Sequence, residues 1–180
     1  MKLLAVFPAI FLFGQMTGAL AAGDTAAITL AGRVLANTCT IDSGSATQVI
    51  TLPTISDRDT KVTGAVDHVL TEVPIILRNC GAAATSVVVN TSGKANGENY
   101  NMFDNTIDAG SEGRATGIGI YFYQTNGSNL LFPDGRRAET IQLTPSVDNT
   151  LTFYATYGIT TASVTPGNIS AVVNMTFDYQ

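Results

Sequence analysis

The chain has 180 residues, of which 45% are hydrophobic and only 13% are charged, and it carries a formal net charge of −5. An acidic chain with nine Lys and Arg residues scattered along it is a poor match for nucleic acid or for an anionic membrane surface, so neither is expected as a partner. Without its N-terminal segment, this length corresponds to one domain that can bury a proper core.

The N-terminus predicts a secretory signal peptide. Lys2 precedes an apolar run, residues 3–13, that is too short to span a bilayer. Small residues follow, and Ala19-Leu20-Ala21 fits an A-x-A cleavage site. Residues 1–21 are therefore expected to be removed on export, and an N-terminal membrane anchor is the alternative.

The two cysteines, Cys39 and Cys80, predict a disulfide. In an exported chain an even number of cysteines indicates pairing, and two cysteines allow only one connectivity. Closing a loop of this length contributes about 4 kcal/mol in the chain-entropy model. No metal site is expected, because these cysteines and the single histidine, His68, do not have metal-ligand spacing.

The rest of the mature chain is a series of short strand patterns separated by turn signals, without a convincing amphipathic helix. The patterns fall on residues 48–52, 69–80, 86–90, 117–123, 130–132, 140–143 and 149–160. Turns that recur every 8–12 residues or so are typical of a sandwich or a barrel. We predict an all-β, Ig-like β-sandwich, and an up-and-down barrel stays open because the sequence does not fix the strand order.

The C-terminal residues carry a long alternating pattern. Side chains alternate across a strand, so the pattern predicts one apolar face and one polar face, with Val172 as the exception. Such an end must be tied into a sheet, because a free chain end usually frays. The apolar row is Ile169, Ala171, Val173, Met175, Phe177 and Tyr179.

Residues 22–34 carry a second alternating pattern directly after the signal peptide. The row contains one glycine, which leaves a notch among the apolar side chains. Its members are Ala26, Ile28, Leu30, Gly32 and Val34.

No motif in the chain predicts catalysis. His68 lies in a polar stretch without a G-x-S-x-G element, so a nucleophilic triad is not expected. Gly117-x-Gly119 leads into a strand pattern rather than a helix, so it is not a dinucleotide-binding loop. We therefore expect no enzymatic activity and no cofactor.

Taken together, these features resemble the subunits of chaperone–usher fimbriae, especially the type 1 pilin family, over the whole chain. A signal peptide is followed by the alternating extension, and residues 36–42 are close to the family's segment around its first cysteine. The second cysteine ends residues 73–80, as it ends the family's third strand. The penultimate residue is Tyr179, and Gly167 is fourteenth from the end, which together match the family's C-terminal signature.

The resemblance implies an Ig-like sandwich, residues 35–180, that lacks its C-terminal seventh strand. The gap would be an apolar groove that a strand of a periplasmic chaperone fills first. At an outer-membrane usher, the extension of the next subunit, residues 22–34, would replace that strand. The product would be a head-to-tail polymer of neighbouring pilin subunits, a cell-surface fimbrium of a Gram-negative-type bacterium that contributes to cell adhesion.

The resemblance also implies roles for individual residues. Ala26, Ile28, Leu30 and Val34 would be the inserted side chains of the donor strand, and Gly32 would occupy its notch position. The receiving groove and C-terminal strand would use Gly167, Ile169, Val173, Met175, Phe177 and Tyr179.

Two alternatives stay open at this point. Residues 22–34 could be the first strand of a complete sandwich. The chain could also be a tip or adaptor subunit that binds a host glycan or receptor directly, rather than the main rod subunit.

Overall fold

The computed structural model describes residues 31–34, 37–161 and 163–180. The predicted signal peptide and the donor residues Ala26, Ile28 and Leu30 lie outside this range. The chain divides into two units, residues 1–33 and residues 34–180. In the first unit only residues 31–33 are described, and all three are exposed. No helix in the described residues is long and apolar enough to cross a membrane.

The second unit is a β-sandwich, as predicted. Its two separate sheets exclude the up-and-down barrel. In the described residues the strands are β1 (Thr40–Ile41), β2 (Gly64–Ala65), β3 (Thr71–Arg78), β4 (Ser86–Ser92), β5 (Ile118–Tyr123), β6 (Leu130–Leu131), β7 (Glu139–Gln142), β8 (Asn149–Ile159) and β9 (Asn174–Tyr179).

Both sheets are antiparallel. The larger sheet has the order β1-β3-β8-β5-β6, with β2 also paired to β8, and the smaller sheet has the order β7-β4-β9. The C-terminal strand β9 pairs with β4 in a register that runs from Val87↔Tyr179 to Ser92↔Asn174. Because β9 is the last strand in its sheet, its outer edge has no strand partner among the residues that the structure describes.

Helical structure in the described residues is limited to single turns. They are the α-helix α1 (Ser43–Ala46) and the two 3-10 helices Asp57–Thr60 and Asp67–Val69. The Asp42 side chain caps α1 by accepting a hydrogen bond from the Gly44 amide at 3.0 Å. The sequence predicted a turn here, and the aspartate cap makes that turn helical.

The core lies between the two sheets. Alternate residues of the central strands point inward, so Leu77, Val89 and Phe153 are fully buried. Phe122 stacks on Phe153 with 5.8 Å between the ring centroids. Apolar side chains on both inner faces thus hold the sheets together.

The predicted disulfide between Cys39 and Cys80 is present. It joins the segment before β1 to the end of β3, where Thr40 pairs with Arg78. The Arg78 guanidinium lies 2.6 Å from the Asp42 carboxylate, and this hydrogen bond lowers the pKa of Asp42. The segment that follows β1 therefore starts from a covalently fixed point.

Two segments differ from the strands predicted for them. Residues 48–52 belong to no strand, and no backbone group of residues 48–55 bonds to another backbone group of the described chain. At the C-terminus, β9 begins at Asn174 rather than at Ile169. The alternation is present in both segments, but a ladder also needs backbone hydrogen bonds to a neighbouring strand, and neither segment forms such a ladder within the described residues.

Candidate functional site

A groove of about 870 Å³ separates these two segments. One wall comes from residues 41–52 and the other from residues 169–177. The floor is the inner face of the larger sheet, formed by Val73, Ile75, Ile120, Phe122, Ala155 and Tyr157. None of the described residues that line the groove is charged, so it is suited to an apolar occupant.

The C-terminal wall presents the alternating row that the sequence predicts. Every apolar side chain of the row is half-buried, and every residue between them is exposed. Val172, the exception in the pattern, is 53% exposed. The fold therefore leaves part of this row, Ile169, Ala171, Val173, Met175, Phe177 and Tyr179, uncovered.

The free edge of β9 exposes backbone groups on the same residues. The Gln180 amide donates to the Ser86 carbonyl at 2.9 Å, and the Ser86 amide donates to the Gln180 carbonyl at 3.2 Å. In an antiparallel pair, such doubly bonded residues alternate with residues that exchange no hydrogen bonds. The even-numbered residues of β9 therefore bond to β4, and Met175, Phe177 and Tyr179 direct their amides and carbonyls outward.

The opposite wall follows the edge of β3 through side chains instead of a ladder. The Ile76 amide donates to the Ser45 hydroxyl at 3.0 Å. The Gln48 amide group donates to the Pro74 carbonyl at 3.1 Å. Since proline has no backbone N–H, this edge of β3 has no free donor at Pro74 or Ile76.

Beyond Gln48, this wall repeats the alternation of the other one. Ile50 and Leu52 are half-buried and pack against the core, whereas Val49 is 94% exposed. The groove thus has a half-covered apolar row on each side, as a space left by one missing strand would have.

Two of the predicted groove residues lie next to the lining rather than in it. A Cβ on Gly167 would lie 2.5 Å from the Gly113 carbonyl oxygen and 2.7 Å from the Ala115 amide nitrogen, so only glycine allows this backbone approach. Tyr179 packs against the core, and its buried hydroxyl has no hydrogen-bond partner in the described residues. Burial raises the pKa of Tyr179, so the phenol stays neutral.

Of the predicted donor residues, the structure describes Gly32 and Val34. Both are exposed, and Val34 is 99% exposed. Ala26, Ile28 and Leu30 fall outside the described residues, so their donor role stays a prediction.

The sequence did not identify the opposite wall or the floor of the groove as part of a site. Ile50 and Leu52 had a visible signal, because they alternate with polar neighbours. Tyr157 belongs to the alternating row of residues 149–160, but neither its place nor that of Ile120 in the floor can be read from alternation, because it depends on which strands are adjacent in the sheet.

The groove is equipped for binding rather than for acid–base chemistry. Its floor contains one titratable side chain, Tyr157, and burial raises the pKa of that phenol. The described residues contain no group of three or more His, Cys, Asp or Glu side chains that could hold a metal ion. What the groove offers is apolar surface and free backbone groups.

Residues 28–180 match the family model described as fimbrial protein. The chain belongs to the fimbrial protein family. The laminin-binding fimbrial subunit ElfA of Escherichia coli is 32% identical to this fimbrial protein over 165 residues, which cover 89% of each chain. The S-fimbrial protein subunit SfaG of Escherichia coli is 31% identical over 161 residues, which cover 89% of this chain and 85% of SfaG.

Solved structures of pilus subunits share the fold of this fimbrial protein. The P pilus rod subunit PapA superposes with a TM-score of 0.63 at 24% identity, covering 79% of this chain and 99% of PapA. A subunit of a chaperone–usher pilus superposes with a TM-score of 0.65 at 22% identity, covering 91% of this chain and 100% of that subunit. The two-sheet architecture is therefore the pilin Ig-like fold.

The family confirms the function and location expected from the sequence. This fimbrial protein is a structural subunit of an adhesive fimbria. It is exported, and it is a component of the surface of a Gram-negative bacterium.

Proposed function

We propose that this fimbrial protein polymerises head to tail by inserting its extension, residues 22–34, into the groove of the next copy. The observation that carries the proposal is the groove itself, which has a half-covered apolar row on each wall and no strand of the described residues between them. An inserted strand would bond to the outward backbone groups of Met175 and Phe177 and would bury its own alternate side chains. Main-chain bonds then supply affinity, and the side-chain alternation fixes the register.

The extension has the length and pattern that the groove requires. At about 3.3 Å per residue, residues 169–177 extend for about 30 Å, whereas residues 22–34 can extend for about 40 Å. Ala26, Ile28, Leu30 and Val34 would face the groove, with Gly32 at the position where the backbone must come closest. The groove and the extension are different surfaces of one chain, so their pairing generates an open polymer rather than a closed ring.

The same proposal includes a way to protect the empty groove of the subunit during export. A half-covered apolar groove is an aggregation hazard, because it offers free backbone groups beside apolar side chains. A periplasmic chaperone strand would cover the groove, and exchange for the next extension would take place at an outer-membrane usher. The protein works in this scheme as a binding module, without catalysis.

Deleting residues 22–34 tests the proposal. The truncated subunit should accept a strand but donate none, so truncated chains should not polymerise with one another. Electron microscopy and size-exclusion chromatography would measure polymer length against the full mature chain. Polymers of truncated chains as long as those of the full chain would contradict the donor role.

A second candidate function is direct attachment to a host glycan or receptor. The ElfA relative is described as laminin-binding. In this chain Tyr100 is 67% exposed, and the neighbouring Asn101 accepts a hydrogen bond from Arg136. The guanidinium carbons of Arg136 and Arg137 lie 3.7 and 5.0 Å from the centre of the Phe132 ring. This arrangement presents a tyrosine and two arginines, residue types that often dominate binding surfaces.

Binding of assembled fibres to a glycan array and to immobilised laminin would separate the two functions. If the surface around Tyr100 binds the host ligand, the affinity of the fibres for that ligand should fall about tenfold or more in Tyr100→Ala and Arg137→Ala. Polymer length should be unchanged. Val147→Ala, which truncates another half-exposed side chain outside this surface, is the control. If the fibres show no saturable binding, direct attachment is contradicted and only the structural role is supported.

A further inference from the structure

The part of the C-terminal wall that precedes β9 is held by side chains of another loop. Residues 169–173 belong to no strand, although they line the groove. The Thr106 amide donates to the Ser170 carbonyl at 2.7 Å, and the Thr106 hydroxyl donates to the same oxygen at 3.0 Å. This half of the wall therefore depends on residues 105 and 106 for its position.

Asn105 is the centre of this support. It is 1% exposed, and its side-chain oxygen accepts the amides of Ile107 and Ser170, both at 3.1 Å. Its side-chain nitrogen donates to the carbonyls of Ala115 and Asn168, both at 3.0 Å. All four hydrogen-bonding positions of the amide are thus used, and two of them hold the chain on either side of Ile169.

We propose that Asn105 is a positioning residue that keeps the wall of the empty groove in the shape that accepts a strand. The inference rests on the proposed function, because it concerns how readily the groove takes its donor. In the empty groove the outer edge of residues 169–173 has no strand of the described chain beside it. The Asn105 amide replaces part of the missing support from the inner side.

This role differs from ordinary structural support in a measurable way. Loss of a residue that only stabilises the fold lowers the stability of the empty and the filled subunit equally, so strand affinity does not change. A residue that pre-orders the wall lowers affinity when it is lost, because the incoming strand must then order the wall itself.

The experiment measures uptake of a labelled synthetic peptide of residues 22–34 by the full mature chain, isolated as monomer. Fluorescence anisotropy gives the uptake rate and the affinity, and thermal unfolding gives the midpoint of the free and the filled chain. The variants are Asn105→Ala and, as a matched control, Asn149→Ala. Asn149 also fixes a backbone turn through its amide, with hydrogen bonds to Thr144, Val147 and the Cys80 sulfur. None of these partners lines the groove, whereas Ser170, a partner of Asn105, does.

We expect both variants to unfold at lower temperature than the wild type. Only Asn105→Ala should bind the peptide more weakly, by about tenfold or more, because the incoming strand must then order the wall without the Asn105 amide. If the wild type takes up the peptide and Asn105→Ala binds it with the same affinity, this inference is overturned and the proposed function is not. A wild-type chain that takes up no peptide would overturn the proposed function and this inference with it.

Thr106→Val supplies a second test in case Asn105→Ala does not fold. Thr106 is exposed, and valine removes only the hydroxyl bond to Ser170 while the amide bond stays. We expect a two- to tenfold loss of peptide affinity, which is about the contribution of one hydrogen bond. Wild-type affinity in this variant would count against the positioning role of the loop.

Discussion

Val173→Glu is expected to abolish polymer formation, whereas Val172→Glu is expected to leave it intact. The two residues are neighbours, but their side chains lie on opposite faces of the C-terminal wall. Val173 belongs to the half-buried row that lines the groove, and Val172 is 53% exposed. The pair therefore introduces the same charge at almost the same place, once on the half-buried row of the wall and once on its exposed face.

The size of the effect follows from the character of the groove. Its described lining contains no charged residue, so a carboxylate at position 173 would be buried without a partner as soon as a strand covered it. An unpaired buried charge costs several kcal/mol, which corresponds to a loss of donor affinity of about a hundredfold or more. The empty subunit should tolerate the change, because water still reaches this side chain.

Thermal unfolding would measure the stability of the monomers, and electron microscopy would show whether each variant forms fibres. The monomer midpoints of the two variants should be similar, and only Val172→Glu should form fibres. Fibres of normal length from Val173→Glu would show that the groove is not the seat of the donor strand. If Val172→Glu also failed to assemble, the added charge rather than its place would be responsible.

Replacing the disulfide by Cys39→Ala and Cys80→Ala together should lower the free energy of unfolding by about 2–5 kcal/mol. The bond joins residues separated by 41 positions; Cys80 is buried in the core, and Cys39 packs against it. Losing it frees a long loop in the unfolded chain and leaves β1, which is two residues long, with little else to hold it. The groove wall that follows β1 should loosen with it.

Urea denaturation of the mature chain would measure the change, with and without a reducing agent. The free energy of unfolding should fall by similar amounts in the reduced wild type and in the double alanine variant. The reducing agent should not change the free energy of unfolding of the variant. A double variant as stable as the oxidised wild type would contradict a stabilising role of the bond. Slower peptide uptake would report the loosening of the wall.

The sequence predicts the features that depend on local pattern and on simple counting. The apolar row from Ile169 to Tyr179 alternates in burial as its composition indicates. Cys39 and Cys80 allow only one pairing, and that pairing is present. Local pattern does not predict where a ladder starts, because a strand is defined by its neighbour as well as by its side chains. For that reason residues 48–52 and 169–173 have the expected alternation but no pairing.

Most of the candidate site depends on contacts between distant parts of the chain. Tyr157 reaches the groove floor because β8 lies between β3 and β5. The periodicity of its own strand does not indicate this strand order. Asn105 lies in a polar loop where asparagine is ordinary, and its four hydrogen bonds join segments that are up to 65 residues apart. Such roles become visible only when the whole topology is known.

The closed edge of β3 has a consequence for the shape of the fibre. Pro74 has no amide to offer, and Ser45 and Gln48 occupy the groups that an incoming strand would otherwise use. In the proposed assembly, a strand that enters the groove therefore pairs along the free edge of β9, which can bond to only one strand at a time. Each subunit then has one successor, and the fibre grows as a single unbranched line.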